Sequence, residues 1–73
     1  MARIEVKTEV AGKVWKIEAE AGASLGAHDP ILIIESMKTE IPVGAPKPCR
    51  LVEVRVREEE AVAEGQVVAV VEA

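Results

Sequence analysis

Apolar and polar residues alternate along most of this chain with a period of two, the spacing of strands that bury one face. Ile4, Val6 and then Val10, set against Arg3, Glu5 and Lys7, predict a first strand with a wet face. After the turn signal Ala11-Gly12, Val14 to Ala19 predicts a second strand. Glu20-Ala21-Gly22-Ala23 and Gly26-Ala27-His28-Asp29-Pro30 predict turns. Ile31 to Ile34 is a short apolar run behind Pro30 and predicts a strand. Ile41-Pro42-Val43 resumes extended structure, with Pro42 at an edge or a strand end because it cannot donate to a ladder. Ala45-Pro46-Lys47-Pro48 predicts a loop. Leu51 to Arg57 is expected to place Val52, Val54 and Val56 on one face and Glu53, Arg55 and Arg57 on the other. Arg57 to Ala63 has helical propensity but is short and stops before Gly65, so it reads as a charged turn with a brief extended piece at Ala61-Val62. Val67 to Val71 predicts the last strand.

These segments repeat. When the chain is slid along itself so that Glu35 falls on Glu72, Leu51 falls on Val14, Val54 on Ile17 and Val56 on Ala19. Val62 then falls on Leu25, Val68 on Ile31, Val70 on Ile33 and Val71 on Ile34, with no gap. The match runs through the turns, where alternation alone gives no help. Each half reads strand, turn, short apolar pair, turn, strand. Two such halves can close a core between two sheets that neither could close alone.

Composition narrows the interior. The chain has 73 residues, which predicts one domain, residues 1–73. Phe and Tyr are missing and there is one Trp, so small aliphatic side chains must form the core, with Trp15 expected to support it. A single Cys excludes an internal disulfide and a Cys-rich zinc module. Cys49 overlays Gly12 in the repeat and reads as a small, partly buried filler. The net charge of -4 argues against nucleic acid and an anionic membrane as partners. The first residues lack a signal-peptide core and no apolar run is long enough to span a bilayer, so a soluble cytoplasmic protein is expected.

The junction of the halves, Glu35-Ser36-Met37-Lys38-Thr39-Glu40, must turn within Ser36 to Thr39, between Ile34 and Ile41. It contains no Gly, Asn or Asp, the usual hairpin formers. Unfavoured turn chemistry beside an exposed Met suggests that function overrides local preference there. These residues alone favour a solvated surface lysine at Lys38, with Met37 tucked back onto the barrel.

Glu35-Ser36-Met37-Lys38 resembles the attachment motif of biotinyl domains, Glu-Ala-Met-Lys or Glu-Ser-Met-Lys. The likeness to small biotin/lipoyl attachment proteins covers nearly the whole chain. It includes Ala11-Gly12-Lys13-Val14-Trp15-Lys16, Gly22, Leu25, Ile31 to Val43, Val52 to Val56 and Gly65 to Val71. The resemblance implies an all-β fold, a flattened barrel or sandwich of two four-stranded antiparallel sheets related by a pseudo-two-fold axis. It implies that Lys38, at a hairpin tip, carries biotin through an amide, and that Met37 helps a biotin protein ligase recognise the site. It implies a biotin carboxyl carrier, a non-catalytic component that shuttles a carboxyl group between a biotin carboxylase and a carboxyltransferase. The isolated domain is expected to be a monomer. Thr39 departs from the Met or Leu common after the lysine, and Glu58-Glu59-Glu60 replaces the common Glu-Gly-Asp turn.

Two alternatives share the fold. A lipoyl domain also modifies a hairpin lysine, but usually has Asp where this chain has Met37. The other is an unmodified binding or structural protein. An enzyme reading is weak, because His28 beside Asp29 has no evident nucleophile or second site and reads as a solvated turn residue. Lys13, Lys16, Arg55 and Arg57 read as solvent-facing strand residues.

Overall fold

The computed structural model describes residues 1–73. Eight strands form: β1 (Arg3–Lys7), β2 (Gly12–Ile17), β3 (Ser24–Leu25), β4 (Pro30–Ser36), β5 (Thr39–Gly44), β6 (Cys49–Val54), β7 (Ala61–Val62) and β8 (Val67–Glu72). They build two four-stranded sheets with orders β1-β8-β6-β3 and β5-β4-β2-β7. Every pairing is antiparallel. The all-β architecture expected from the alternation is therefore present. Residues 57–63 form a turn and a two-residue strand, as read, and Pro42 lies on the edge strand β5.

The repeat is structural. The bounds of β6 and β7 are those of β2 and β3 under the same shift that lays Glu35 on Glu72. Hydrogen bonds follow it as well. The His28 amide donates to the Ala45 carbonyl at 2.8 Å, and the Gly65 amide donates to the Thr8 carbonyl at 2.8 Å. The Gly22 amide donates to Leu51 and the Glu59 amide to Val14, each at 2.7 Å. Left-handed backbone recurs in register: Gly22 with Glu59, and His28 with Gly65. The turn beginning at the residue pair Ser36 and Thr39 has its counterpart in the paired ends of the chain, where Ala2 and Ala73 exchange backbone hydrogen bonds of 2.8 and 2.9 Å.

The halves interlock. β1 pairs with β8, β2 with β7, β3 with β6, and β4 with β5, so each sheet draws strands from both halves. Between the sheets lie Val14, Ile31, Leu32, Ile34, Leu51, Val68, Ala69 and Val71, all but fully buried. The core is aliphatic, as the composition required.

Three expectations need correction. The first strand ends at Lys7 rather than continuing to Val10, although Val10 still packs against the core. The second ends at Ile17, short of Ala19. The largest difference is at two equivalent bulges. In β2 the register slips between Val14 and Lys16, so Trp15 and Lys16 together oppose Ile33. In β6 it slips between Leu51 and Glu53, so Val52 and Glu53 oppose Val70. An extra residue reverses the alternation from that point. Leu51 and Val54 therefore face the core while Val52 does not share their face, contrary to the strict alternation expected. For the same reason Trp15 does not support the core: it is 41% exposed on the outer side of its sheet.

Candidate functional site

β4 and β5 are joined by a two-residue loop. Ser36 pairs with Thr39, and Met37 and Lys38 turn between them. Their φ angles are 49° and 66°, so both occupy the left-handed region. Two-residue hairpins favour this geometry because its twist matches that of the strands, and Asn-Gly supplies it with least strain. Here two ordinary L-residues adopt it, at about 1–2 kcal/mol each. The register above the turn explains why they can be held there. Glu35 pairs with Glu40, Ile34 with Ile41 and Ile33 with Pro42, and Ile34 is fully buried, so the core pins β4. On the other side of β4, Gly12 permits close approach of β2. A Cβ at Gly12 would lie 2.8 Å from Ile34 Cγ2 and closer still to the Glu35 carbonyl oxygen.

The turn presents its side chains to solvent. Met37 is 95% exposed, and Lys38 is exposed with no hydrogen bond or ion pair. The possibility that Met37 folds back onto the barrel is thereby removed. Burying a methionine is worth roughly 1.5–3 kcal/mol, and the fold forgoes it. Lys38 is a free primary amine on a long arm at a convex tip. Two concavities, of about 540 and 600 Å³, lie elsewhere, and neither is lined by Met37 or Lys38.

The base of the hairpin is acidic. Glu35 and Glu40 sit directly opposite one another, an arrangement that like charges disfavour. Lys13 pairs with Glu35 in register, but its Nζ instead contacts Glu59 Oε2 at 2.9 Å. That hydrogen bond, and then the Glu59 charge, raise the Lys13 pKa above its ordinary 10.5, with Glu35 adding a smaller push in the same direction. Glu59 reaches Lys13 from a left-handed position, φ 75°, where the other half uses Gly22. The missing turn glycine has thus left the backbone geometry intact. Sequence reasoning named Glu40 and Glu59 without placing them at the site; the signal for Glu40 was its position across the turn from Glu35, and for Glu59 that it overlays Gly22 in the repeat.

The remaining candidates stay apart from the tip. His28 is an exposed turn residue with φ 71°, overlaying Gly65. Asp29 Oδ2 accepts the Gly26 amide at 2.8 Å and so closes that turn rather than serving His28. Cys49 is a free thiol, half-buried against the core at the position of Gly12. No group of three or more His, Cys, Asp or Glu side chains is placed to hold a metal. No helix is long and apolar enough to cross a membrane.

Comparison with known proteins places the chain as a whole. The family described as Biotin-requiring enzyme (Biotin_lipoyl) matches residues 5–71. The Biotin/lipoyl attachment protein of Bacillus subtilis is 37% identical over 62 residues, 85% of each chain. The Urea amidolyase of Saccharomyces cerevisiae is 36% identical over 92% of this chain but only 4% of its own length. Among solved structures, the urea carboxylase of Kluyveromyces lactis superposes with a TM-score of 0.92 at 34% identity, covering 97% of this chain and 6% of that one. A single-chain, multi-domain long-chain acyl-CoA carboxylase gives 0.88 at 27% identity, covering 96% and 7%. In the three large relatives this fold is a small part of a much longer chain, whereas the Bacillus protein is of similar size. The chain belongs to the biotin/lipoyl attachment family, whose members are carrier domains that bear a prosthetic group and do not themselves catalyse.

Proposed function

We propose that this domain is a biotin carboxyl carrier, with Lys38 as the residue that is biotinylated and Met37 as part of what the modifying enzyme reads. The observation that carries this is the turn itself. A lysine with no internal partner is held at φ 66° at the apex of a two-residue hairpin, next to a methionine left 95% exposed. Such a tip fits covalent attachment: it offers an accessible amine and nothing that would enclose a bound ligand.

In the attachment step, the uncharged Lys38 amine attacks the acyl carbon of a biotinyl-adenylate. An amide C–N bond forms, the acyl–phosphate bond breaks, AMP leaves, and the amine gives up a proton. The modifying enzyme must supply the base, since the tip has no buried group to do so. Modification removes one positive charge beside Glu35 and Glu40 and makes the tip more acidic. Once attached, biotin supplies a ring nitrogen that can bear a carboxyl group. The domain's own contribution is reach and high local concentration from a rigid body with one flexible arm. Its partners on this reading are a biotin protein ligase, a biotin carboxylase and a carboxyltransferase. The likeness to a urea carboxylase and to a long-chain acyl-CoA carboxylase supports that class of system. Biotin rather than lipoate is favoured by Met37 at the position before the lysine.

Intact mass after incubation with a biotin protein ligase, biotin and ATP tests the reading. A single biotin-sized gain is expected for the wild type and none for Lys38→Ala. A gain that persists in the variant refutes the assignment to Lys38. A lipoyl-sized gain under lipoylating conditions, with none under biotinylating conditions, refutes the assignment to biotin.

A further inference from the structure

The pseudo-two-fold repeat provides an internal control. Equivalent outer-face positions in the two sheets share the same strand pairings, so a side chain that diverges there is not dictated by the shared backbone plan. The outer face of the β1-β8-β6-β3 sheet is closed by ion pairs. Arg55 Nε lies 3.0 Å from Glu53 Oε1, and its Nη1 lies 3.7 Å from Glu5 Oε2. This places the guanidinium across β8, between β6 and β1, where Val70 lies. Val70 is 4% exposed although it stands outside the core cluster. Further along, Glu72 contacts Arg3 at 3.8 Å and Arg50 at 3.1 Å.

The other sheet has none of these closures. At the positions of Arg55 and Glu5 stand Glu18 and Pro42, and at that of Val52 stands Trp15. Ile33, the counterpart of Val70, is half-buried rather than buried. Trp15 and Lys16, the two residues of the β2 bulge, together oppose Ile33, and Pro42 pairs with Ile33 on the far side. The result is an uncovered apolar strip running Trp15, Ile33, Pro42 across three strands. Nearer the hairpin, Glu35 has no ion pair, whereas its counterpart Glu72 has two. Lys13, the counterpart of Arg50, is engaged by Glu59 instead. An apolar strip beside two carboxylates that make no ion pair is thus continuous, through β4 and β5, with Lys38.

We infer that this face is where the enzyme that modifies Lys38 docks, with Trp15 as the anchor that determines recognition. The inference rests on the reading of Lys38 as the attachment site. A catalytic centre that reaches the amine of a two-residue turn must cover the flanking strands, and this is the outer surface those strands carry. The complementary surface is an apolar slot for Trp15 with cationic side chains opposite Glu35 and Glu40. Large aromatic side chains that fill such slots dominate the energy of many interfaces.

The other half supplies replacements that the fold already tolerates: Trp15→Val, as at Val52, and Pro42→Glu, as at Glu5. With a purified biotin protein ligase, biotin and ATP, Trp15→Val is expected to raise KM for the domain about ten-fold while kcat changes little. Pro42→Glu shifts KM in the same direction, and Val52→Ala on the opposite face leaves it unchanged. Thermal melts of each variant separate docking from unfolding. Because Trp15 is the only tryptophan, 5-fluorotryptophan labelling of Lys38→Ala gives one ¹⁹F resonance, which should shift on adding the unlabelled ligase. An unchanged KM in folded Trp15→Val, or an undisturbed resonance at saturating ligase, overturns the inference and leaves the reading of Lys38 intact. A resonance that moves with domain concentration alone assigns the strip to a second copy and also overturns it. No mass gain on the wild type overturns the attachment reading itself, and this assignment with it.

Discussion

Lys13 and Glu59 tie the turn before β7 to the strand beside the hairpin. The pair is exposed, so its contribution to stability is small. Its pH dependence has a definite sign. Glu59 raises the folded Lys13 pKa above 10.5, so the stabilisation is fully present below 10.5 and is lost as the pH climbs through the folded value. Thermal melts of wild type and Glu59→Gln should therefore differ most at neutral pH and converge well above pH 10.5. A gap that widens with pH would contradict the assignment. At this scale Trp15 is the residue that alternation misplaced. The missed signal was the spacing of Val14 and Ile17, three apart and both aligned with core residues of the other half, Leu51 and Val54. Two inward residues three apart in a strand require an extra residue between them, and in β2 that arrangement turns Trp15 outward.

The hairpin departs from local preference within a single element, with Met37 and Lys38 both in the left-handed region. The turn's location between Ser36 and Thr39 was legible from the repeat, since a strand that ends the chain in one half must continue in the other. Its left-handed geometry was not, because Met and Lys do not signal it. The strain belongs to the two-residue connection between well-paired strands, not to its side chains. Replacing Met37-Lys38 with Asn-Gly should therefore stabilise the domain by about 1–2 kcal/mol. For a domain of this size that is roughly 4–16 °C in Tm. The same variant should gain no mass with ligase, biotin and ATP. A fall in Tm would mean that Met37 or Lys38 makes contacts that stabilise the fold.

The whole molecule depends on both halves at once. Within residues 1–37 the only strand pairing is β2 with β4, and within 38–73 only β6 with β8; every other ladder crosses between halves. Val14, Ile31 and Ile34 from the first half and Leu51, Val68 and Val71 from the second fill one core. The aliphatic composition and the gapless repeat made a two-sheet core legible, but not which strands exchange. Alternation records the buried face of a strand and not its neighbour. The interlocking can be tested by opening the chain where the halves meet. Cyanogen bromide cuts after methionine, and the two methionines are Met1 and Met37, so cleavage yields residues 2–37 and 38–73. Each fragment alone keeps a single ladder, and an isolated pair of strands is marginal in water. Neither should show cooperative unfolding. Mixed in equal amounts, they should recover β-type circular dichroism and a melting transition that rises with concentration. Joining them again must offset the translational and rotational freedom that the covalent turn had already removed, about 4–15 kcal/mol at a 1 M standard state. Reassociation therefore needs higher concentrations than the intact chain, which folds at any dilution. A cooperative transition in either fragment alone would mean that one half is a folding unit, and that the repeat joined two domains rather than completing one.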